Sequence, residues 1–294
     1  MFSNSFKAGS LKASLALAAA TLMSAGASAQ DSDEQIDMSD TAFSGDYLSV
    51  GVGVAVNPSY LGSDDYVFTP LPIVQGSLGG VGISPRGGGL ALDFIPDGDG
   101  KIGFDLGVAA RLRANRNTQI KDEVVASLGK LDKAIEVGPT AGVTINKVLH
   151  GYDSLTFSAD AVWDINGAHD GFVVSPSVTY FTPLNRGMVA SLSLSTEYAD
   201  AKFHDYYFAV SPAQSVATGG ELPEFQPSGG GFTRAGATLL TGIDLDGDIT
   251  NGGFGLIVVG GYSRVLGDAA DTPFTSVRGS KDQFFGAFGV GYTF

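Results

Sequence analysis

The chain has no cysteine in 294 residues, which excludes a disulfide framework, a thiolate metal site and a cysteine-linked lipid anchor. Charge is sparse as well: 16% of residues are charged, against ~25% in a typical soluble domain. Basic residues are the scarcer kind, with Lys+Arg 17 against Asp+Glu 31 and a formal net charge of −14. Nucleic-acid binding needs a basic footprint, so nucleic acid is excluded as a partner. After residue 29 no apolar run approaches the ~20 residues of a membrane-spanning helix. Glycine, by contrast, is abundant at 42 residues, roughly twice its usual share. Apolar residues make up 44% and aromatic residues 10%, too much for a disordered chain. Gly, Ser, Val and Phe with few charges describe β structure with one unusual face.

The first segment reads as an address. Lys7 and Lys12 precede the apolar run Leu15 to Met23, and Ala27-Ser28-Ala29 follows. A basic start, a short apolar stretch and an A-x-A site predict a signal peptide over 1–29, cleaved near Ala29. Cleavage removes two lysines and no acid, which takes the formal charge from −14 to −16. Residues 30–45 are acidic and aperiodic, and read as a flexible periplasmic leader.

From 46 to 294 the dominant signal is alternation. Ile102, Phe104, Leu106, Val108, Ala110 and Leu112 share one face, while Lys101, Gly103, Asp105, Gly107, Ala109, Arg111 and Arg113 share the other. Leu155, Phe157, Ala159, Ala161 and Trp163 alternate with Ser154, Thr156, Ser158, Asp160 and Asp164. Residues 190–199 repeat the pattern. These stretches have the length that tilted strands need to cross a bilayer, ~9–11 residues. One face is apolar and aromatic; the other is small and polar. That polarity predicts an all-β fold, a transmembrane antiparallel up-and-down barrel with lipid outside and a polar lumen. Strands are expected at 46–56, 67–78, 80–84, 88–96, 101–113, 134–148, 153–166, 171–184, 188–202, 232–245, 252–267 and 282–294. Twelve satisfies the even count that puts both ends in the periplasm; ten is the alternative. The break at Ser84-Pro85-Arg86-Gly87-Gly88 is the weakest. The long connections 114–133, 203–231 and 268–281 then fall outside the cell, with 57–66.

The terminal stretch is specific. Phe284, Phe288, Val290, Tyr292 and Phe294 share a face, and the chain ends on an aromatic with Tyr292 and Gly289 just before it. Gly289, Tyr292 and Phe294 resemble the signal by which the barrel assembly machinery recognises its clients. A final strand also suits closure, because every edge must be paired in lipid.

Catalytic and metal motifs are absent from the sequence, and no catalytic, cofactor-binding or metal-binding residue is nominated. His150, His169 and His204 fall in turns or loops without ligand spacing. Asp244-Leu245-Asp246-Gly247-Asp248 lacks the EF-hand positions for Gly and Glu, and reads as a tight turn. His204-Asp205 sits at the height of a rim hydrolase site, with Asp64 or Asp65 as the acid such chemistry would need; a solvated loop histidine is the plainer reading. Asp105, Arg111, Arg113, Glu136, Asp160, Asp164, Glu197 and Arg234 fall on the lumen face, where they either line a pore or pair into a plug. Ile120, Val124, Leu128 and Leu131 predict a short amphipathic helix within 118–133.

Three motifs resemble a known family. They are Tyr60-Leu61-Gly62-Ser63-Asp64-Asp65-Tyr66 with Pro70-Leu71-Pro72; Tyr206-Tyr207-Phe208-Ala209-Val210-Ser211-Pro212-Ala213-Gln214-Ser215; and Tyr262 to Pro273 with Arg278-Gly279-Ser280. With the terminal strand they resemble the MipA/OmpV family of outer-membrane proteins. The resemblance implies a Gram-negative outer-membrane barrel. It also implies a scaffold role joining a murein-degrading lytic transglycosylase to a murein synthase. It carries no catalytic residues. The acidic leader, 114–133 and 216–231 depart from the pattern. The expected function is therefore a non-enzymatic murein scaffold in the outer membrane, with a small-solute pore, an adhesin using loop 203–231 and a rim hydrolase as the other readings.

Overall fold

The computed structural model describes residues 41–43, 45–96, 98 and 100–294. The expected signal peptide, its cleavage site at Ala29 and the leader up to residue 40 lie outside the described residues. Twelve antiparallel strands close into a barrel. They are β1 (Tyr47–Pro58), β2 (Tyr66–Leu78), β3 (Val81–Arg86), β4 (Gly89–Asp93), β5 (Ile102–Arg113), β6 (Ala134–Asn146), β7 (Ser154–Asp164), β8 (Phe172–Asn185), β9 (Met188–Ala199), β10 (Gly231–Asp244), β11 (Gly253–Val265) and β12 (Asp282–Thr293). Each pairs with its chain neighbour, and β1 pairs with β12 from Ser49↔Thr293 to Val56↔Gly286. Among the described residues no helix is long and apolar enough to cross a membrane.

The alternation decides which face is which. Val52, Phe68, Phe104, Leu194, Phe254 and Phe288 point outward and are exposed. Facing the lumen, short polar side chains pair from strand to strand: Thr144 with Thr156 (3.0 Å), Ser158 with Ser177 (2.9 Å) and Thr179 with Ser193 (2.8 Å). Aromatic rings ring both ends. Trp163, Phe172, Tyr198 and Phe232 touch in sequence across β7 to β10, with centroids 5.7–6.3 Å apart. Phe254, Tyr292 and Phe294 do the same at the opposite end. An apolar band between aromatic girdles is the surface a bilayer requires.

The break at Pro85-Arg86-Gly87-Gly88 is a real hairpin, with Arg86 paired to Gly89. Its two strands are half the length of the others, so β2 pairs with β3 only from Gly76 to Leu78. The tight turn after Leu78 fixes the phase: even-numbered residues of β2 turn their backbone groups toward β3. Beyond Gly76 that edge carries Val74, Pro72, Pro70 and Phe68. Two of the four lack an N–H to leave unpaired, and the Phe68 carbonyl accepts from Gln119 Nε2 at 3.2 Å. Pro85 likewise turns its nitrogen toward β2. Proline is the residue an unpaired strand edge tolerates best.

Candidate functional site

The long connections gather at one end of the barrel, and there the lumen charges meet. Glu136, on β6, is fully buried and takes hydrogen bonds from Arg111 Nε, from Arg113 Nε at 2.7 Å and from His169 Nε2 at 3.0 Å. Arg113 reaches across to Glu197 on β9 at 3.0 Å, and Arg234 on β10 meets the same carboxylate at 3.2 Å. Lower down, Arg86 pairs with Asp160 at 3.0 Å, and Asp160 also accepts from Thr140. A register shift between Phe232 and Arg234 inserts Thr233 into β10. This bulge sends Phe232 to the lipid face and Arg234 inward, and the buried Thr233 hydroxyl donates to Glu197 at 2.9 Å. Six of the eight lumen charges thus meet a charge of opposite sign, while Asp164 accepts from the backbone of Asn166, His169 and Asp170. Arg86 and His169 are members that the alternation pattern had not marked, since one lies in a hairpin tip and the other in a loop.

Above this layer the connections pack into a cap. Phe203, Tyr207 and Phe208 project from α2 (Ala201–Phe208) onto Ala109, Val162, Val173 and Ala199 of the wall. The Arg113 guanidinium lies 4.9 Å from the Phe203 ring centre, joining the ionic layer to the aromatic one. A second cluster joins Tyr60, Val125, Val210, Leu222 and Phe274 from four connections. Gly62, at φ 93, lies so close to the β11–β12 connection that a Cβ would collide with Thr275 Oγ1. The Gly62 carbonyl accepts from Ser280 N at 2.8 Å, and Gln283 bonds both Gly62 N and Ser63 O. Thr272 Oγ1 donates to Phe208 O at 2.7 Å. Burial pushes the Tyr60 and Tyr207 phenols up, so both stay protonated.

Two sequence expectations are corrected here, the extent of the helix within 118–133 and the setting of His204. The helix within 118–133 is a single turn, α1 (Glu123–Ser127), capped by Asp122, whose side chain accepts from Val125 N. Its buried residue is Val125, while Ile120, Val124 and Leu128 pack beside it. His204 is not a solvated loop residue: it lies on α2 and is 1% exposed. The acid near it is Asp268, with Nδ1 to Oδ2 at 3.4 Å, not Asp64 or Asp65. Asp268 also accepts from Ser228 Oγ, so the acid stands between serine and histidine, the wrong order for a histidine that deprotonates a serine. Asp244 Oδ1 accepts from the backbone of Asp246, Gly247 and Asp248, so this acidic turn satisfies itself. Among the described residues no group of three or more His, Asp or Glu is placed to hold a metal.

No curated protein matches the chain. Among solved structures it is similar to an outer membrane channel from Pseudomonas putida F1, at 12% identity and a TM-score of 0.43, covering 90% of this chain and 100% of that one. It is also similar to the Pseudomonas putida toluene transporter TodX, at 10% identity and a TM-score of 0.35, covering 90% and 95%. The family described as "MltA-interacting protein MipA" matches residues 50–294, which hold the barrel from Val50 of β1 onward and all three motifs. The chain therefore belongs to the MipA family, as an outer-membrane β-barrel.

Proposed function

We propose that this protein is a non-enzymatic scaffold, a barrel shut at its external mouth that holds murein-remodelling enzymes, a lytic transglycosylase and a murein synthase, at its periplasmic end. The observation that carries the reading is the ionic layer at the external end and the loop core above it. Glu136 and Glu197 are locked between arginines from two strands, β5 and β10, and the loops above them form an apolar core. Such an entrance offers surfaces rather than a through-path. The partner class comes from the family's name. Loop 203–231 supports an adhesin poorly, because Phe203, Tyr207, Phe208, Val210 and Leu222 are spent on the cap.

The periplasmic turns are built to present a fixed surface. Asp153 accepts from the backbone of Val148, Leu149 and His150 and from the Tyr180 hydroxyl, which leaves Leu149 78% exposed. Arg186 ties the β8–β9 turn to Asp248 at 3.0 Å, with Leu245 exposed beside it. A photo-crosslinking side chain at Leu149 or Leu245 is expected to capture purified lytic transglycosylase, and one at the external Val216 is not. Absence of capture at both periplasmic positions overturns the scaffold. Steady conductance of the wild type in a planar bilayer would favour a pore instead. On this reading the terminal face of Tyr292 and Phe294, with Gly289, serves the assembly machinery.

A further inference from the structure

The cap contains a cation without a counterion. Arg116 follows β5 in Asn115-Arg116-Asn117 and holds a left-handed backbone, φ 50, which a non-glycine residue adopts only when its surroundings impose it. Its carbonyl accepts from Leu131 N at 2.9 Å. The residue is 6% exposed, and its guanidinium carbon lies 3.9 Å from the centre of the Phe274 ring. Nε has no hydrogen-bond partner, and no carboxylate among the described residues pairs with the guanidinium. Its titratable neighbours are the phenols of Tyr60, Tyr206 and Tyr207, and burial lowers the arginine to about 10. Every other deeply buried arginine in this barrel meets an acid; Arg113, for example, meets two. A buried charge left unpaired is expensive to keep, and one that persists has a use.

Arg116 also lines a cavity of about 650 Å³, bounded by the loop between β5 and β6 and by the segment from α2 through α3 (Pro212–Ala217) to Gln226. Leu131, Tyr206, Val210 and Phe225 supply apolar walls, while Asp205 and Glu224 stand among the lining residues. We propose that this cavity binds a small organic monoanion, a carboxylate with an apolar or aromatic body, whose oxygens complete the Arg116 guanidinium. The chemistry selects the class. One guanidinium fork matches one carboxylate. The two acidic lining residues oppose a dianion such as phosphate. The apolar walls take a hydrophobic body that acetate lacks.

The test uses the intact barrel in detergent, with benzoate as probe and benzyl alcohol, acetate and inorganic phosphate as comparisons. Benzoate is expected to raise the thermal midpoint of the wild type in a saturable way, and the comparisons are not. Arg116→Met is expected to weaken benzoate about tenfold to a hundredfold, the range set by hydrogen bonds to a charged group. Because it also removes the uncompensated cation, its ligand-free midpoint is expected to lie above the wild type's. Ala209→Trp, which fills the cavity and leaves Arg116 in place, is expected to abolish the response and covers the case in which Arg116→Met does not assemble. No response of the wild type to benzoate overturns the proposal. So does an equal response in Arg116→Met or Ala209→Trp, or a response to phosphate as large as that to benzoate.

Discussion

Replacing Glu136 by Gln tests the ionic layer directly. The carboxylate is fully buried and neutralises Arg111 and Arg113 while accepting from His169. Glutamine keeps the shape but not the charge, and turns an amide N–H₂ toward groups that only donate. Breaking a buried pair from one side costs about 3–5 kcal/mol, because the partner charge stays behind. For a domain of this size each kcal/mol moves the midpoint by about 2–4 °C, so the expected fall is about 6–20 °C. The assay is heat-modifiability: the folded barrel migrates differently from the unfolded chain on an unboiled gel, and the fraction folded is read against temperature. The double variant Arg113→Met with Glu136→Met is the control. It removes one donor together with the acceptor and leaves Glu197 with Arg234. Arg111 and His169 lose the carboxylate in both variants, but the double variant strands one arginine where Glu136→Gln strands two, so it is expected to lose less than Glu136→Gln alone. A Glu136→Gln midpoint within about 2 °C of wild type, less than one kcal/mol at this scale, refutes the reasoning.

Three other perturbations read separate parts of the molecule. Pro70→Ala with Pro72→Ala gives the free edge of β2 two N–H groups with nothing to bond, at about 1–3 kcal/mol each, and the heat-modifiability midpoint should fall; a rise would mean that this edge is not open. Gly62→Ala drives a Cβ into Thr275 and imposes a left-handed backbone on alanine, so the cap should become sensitive to external protease while the barrel stays folded. At Asp153, desolvation raises the carboxyl, but the Tyr180 hydroxyl and the three backbone donors outweigh it and hold the group at about 2, against an ordinary 3.8. A depressed carboxylate stabilises the fold above its unfolded value and stops doing so as pH falls through the folded one. Amide exchange at Val148 and Leu149 should therefore stay slow down to pH 3.8 and accelerate toward pH 2, and Asp153→Asn should exchange fast throughout.

The barrel was legible in the sequence because a strand writes its two environments onto alternate residues. Ile102 to Leu112 had to face lipid together, and Gly103 to Arg113 the lumen. Even the doubtful hairpin was readable, since Pro85 and the Gly87-Gly88 turn interrupt the ladder there. Which charges meet was not readable. Arg113 and Glu197 are 84 positions apart, and only closure and stagger of the barrel bring them to 3.0 Å. His204 was misplaced for a related reason. An aromatic run, Phe203 to Phe208, alternates at neither period cleanly, and its burial depends on wall residues from six strands. Arg116 left one faint signal: an arginine bracketed by asparagines just past a strand, where a solvated tip would ordinarily carry glycine.

The motifs that carry the family resemblance fall largely in the connections, which in most barrels tolerate change best, with Pro70-Leu71-Pro72 in β2 and Tyr262 to Val265 in β11. Their geometry supplies the reason. Gly62-Ser63 from the first motif meets Gly279-Ser280 from the third, as an isolated bridge and a backbone bond. Phe208 from the second accepts from Thr272 of the third, and Tyr60 from the first packs with Val210 and Phe274 from the other connections. These residues answer to one another rather than to solvent, so they behave as a core that happens to be built from loops. Tyr60, Val210, Leu222 and Phe274 are at most 3% exposed, as buried as the core of a soluble domain. The three motifs are held by their contacts with one another, as core positions are.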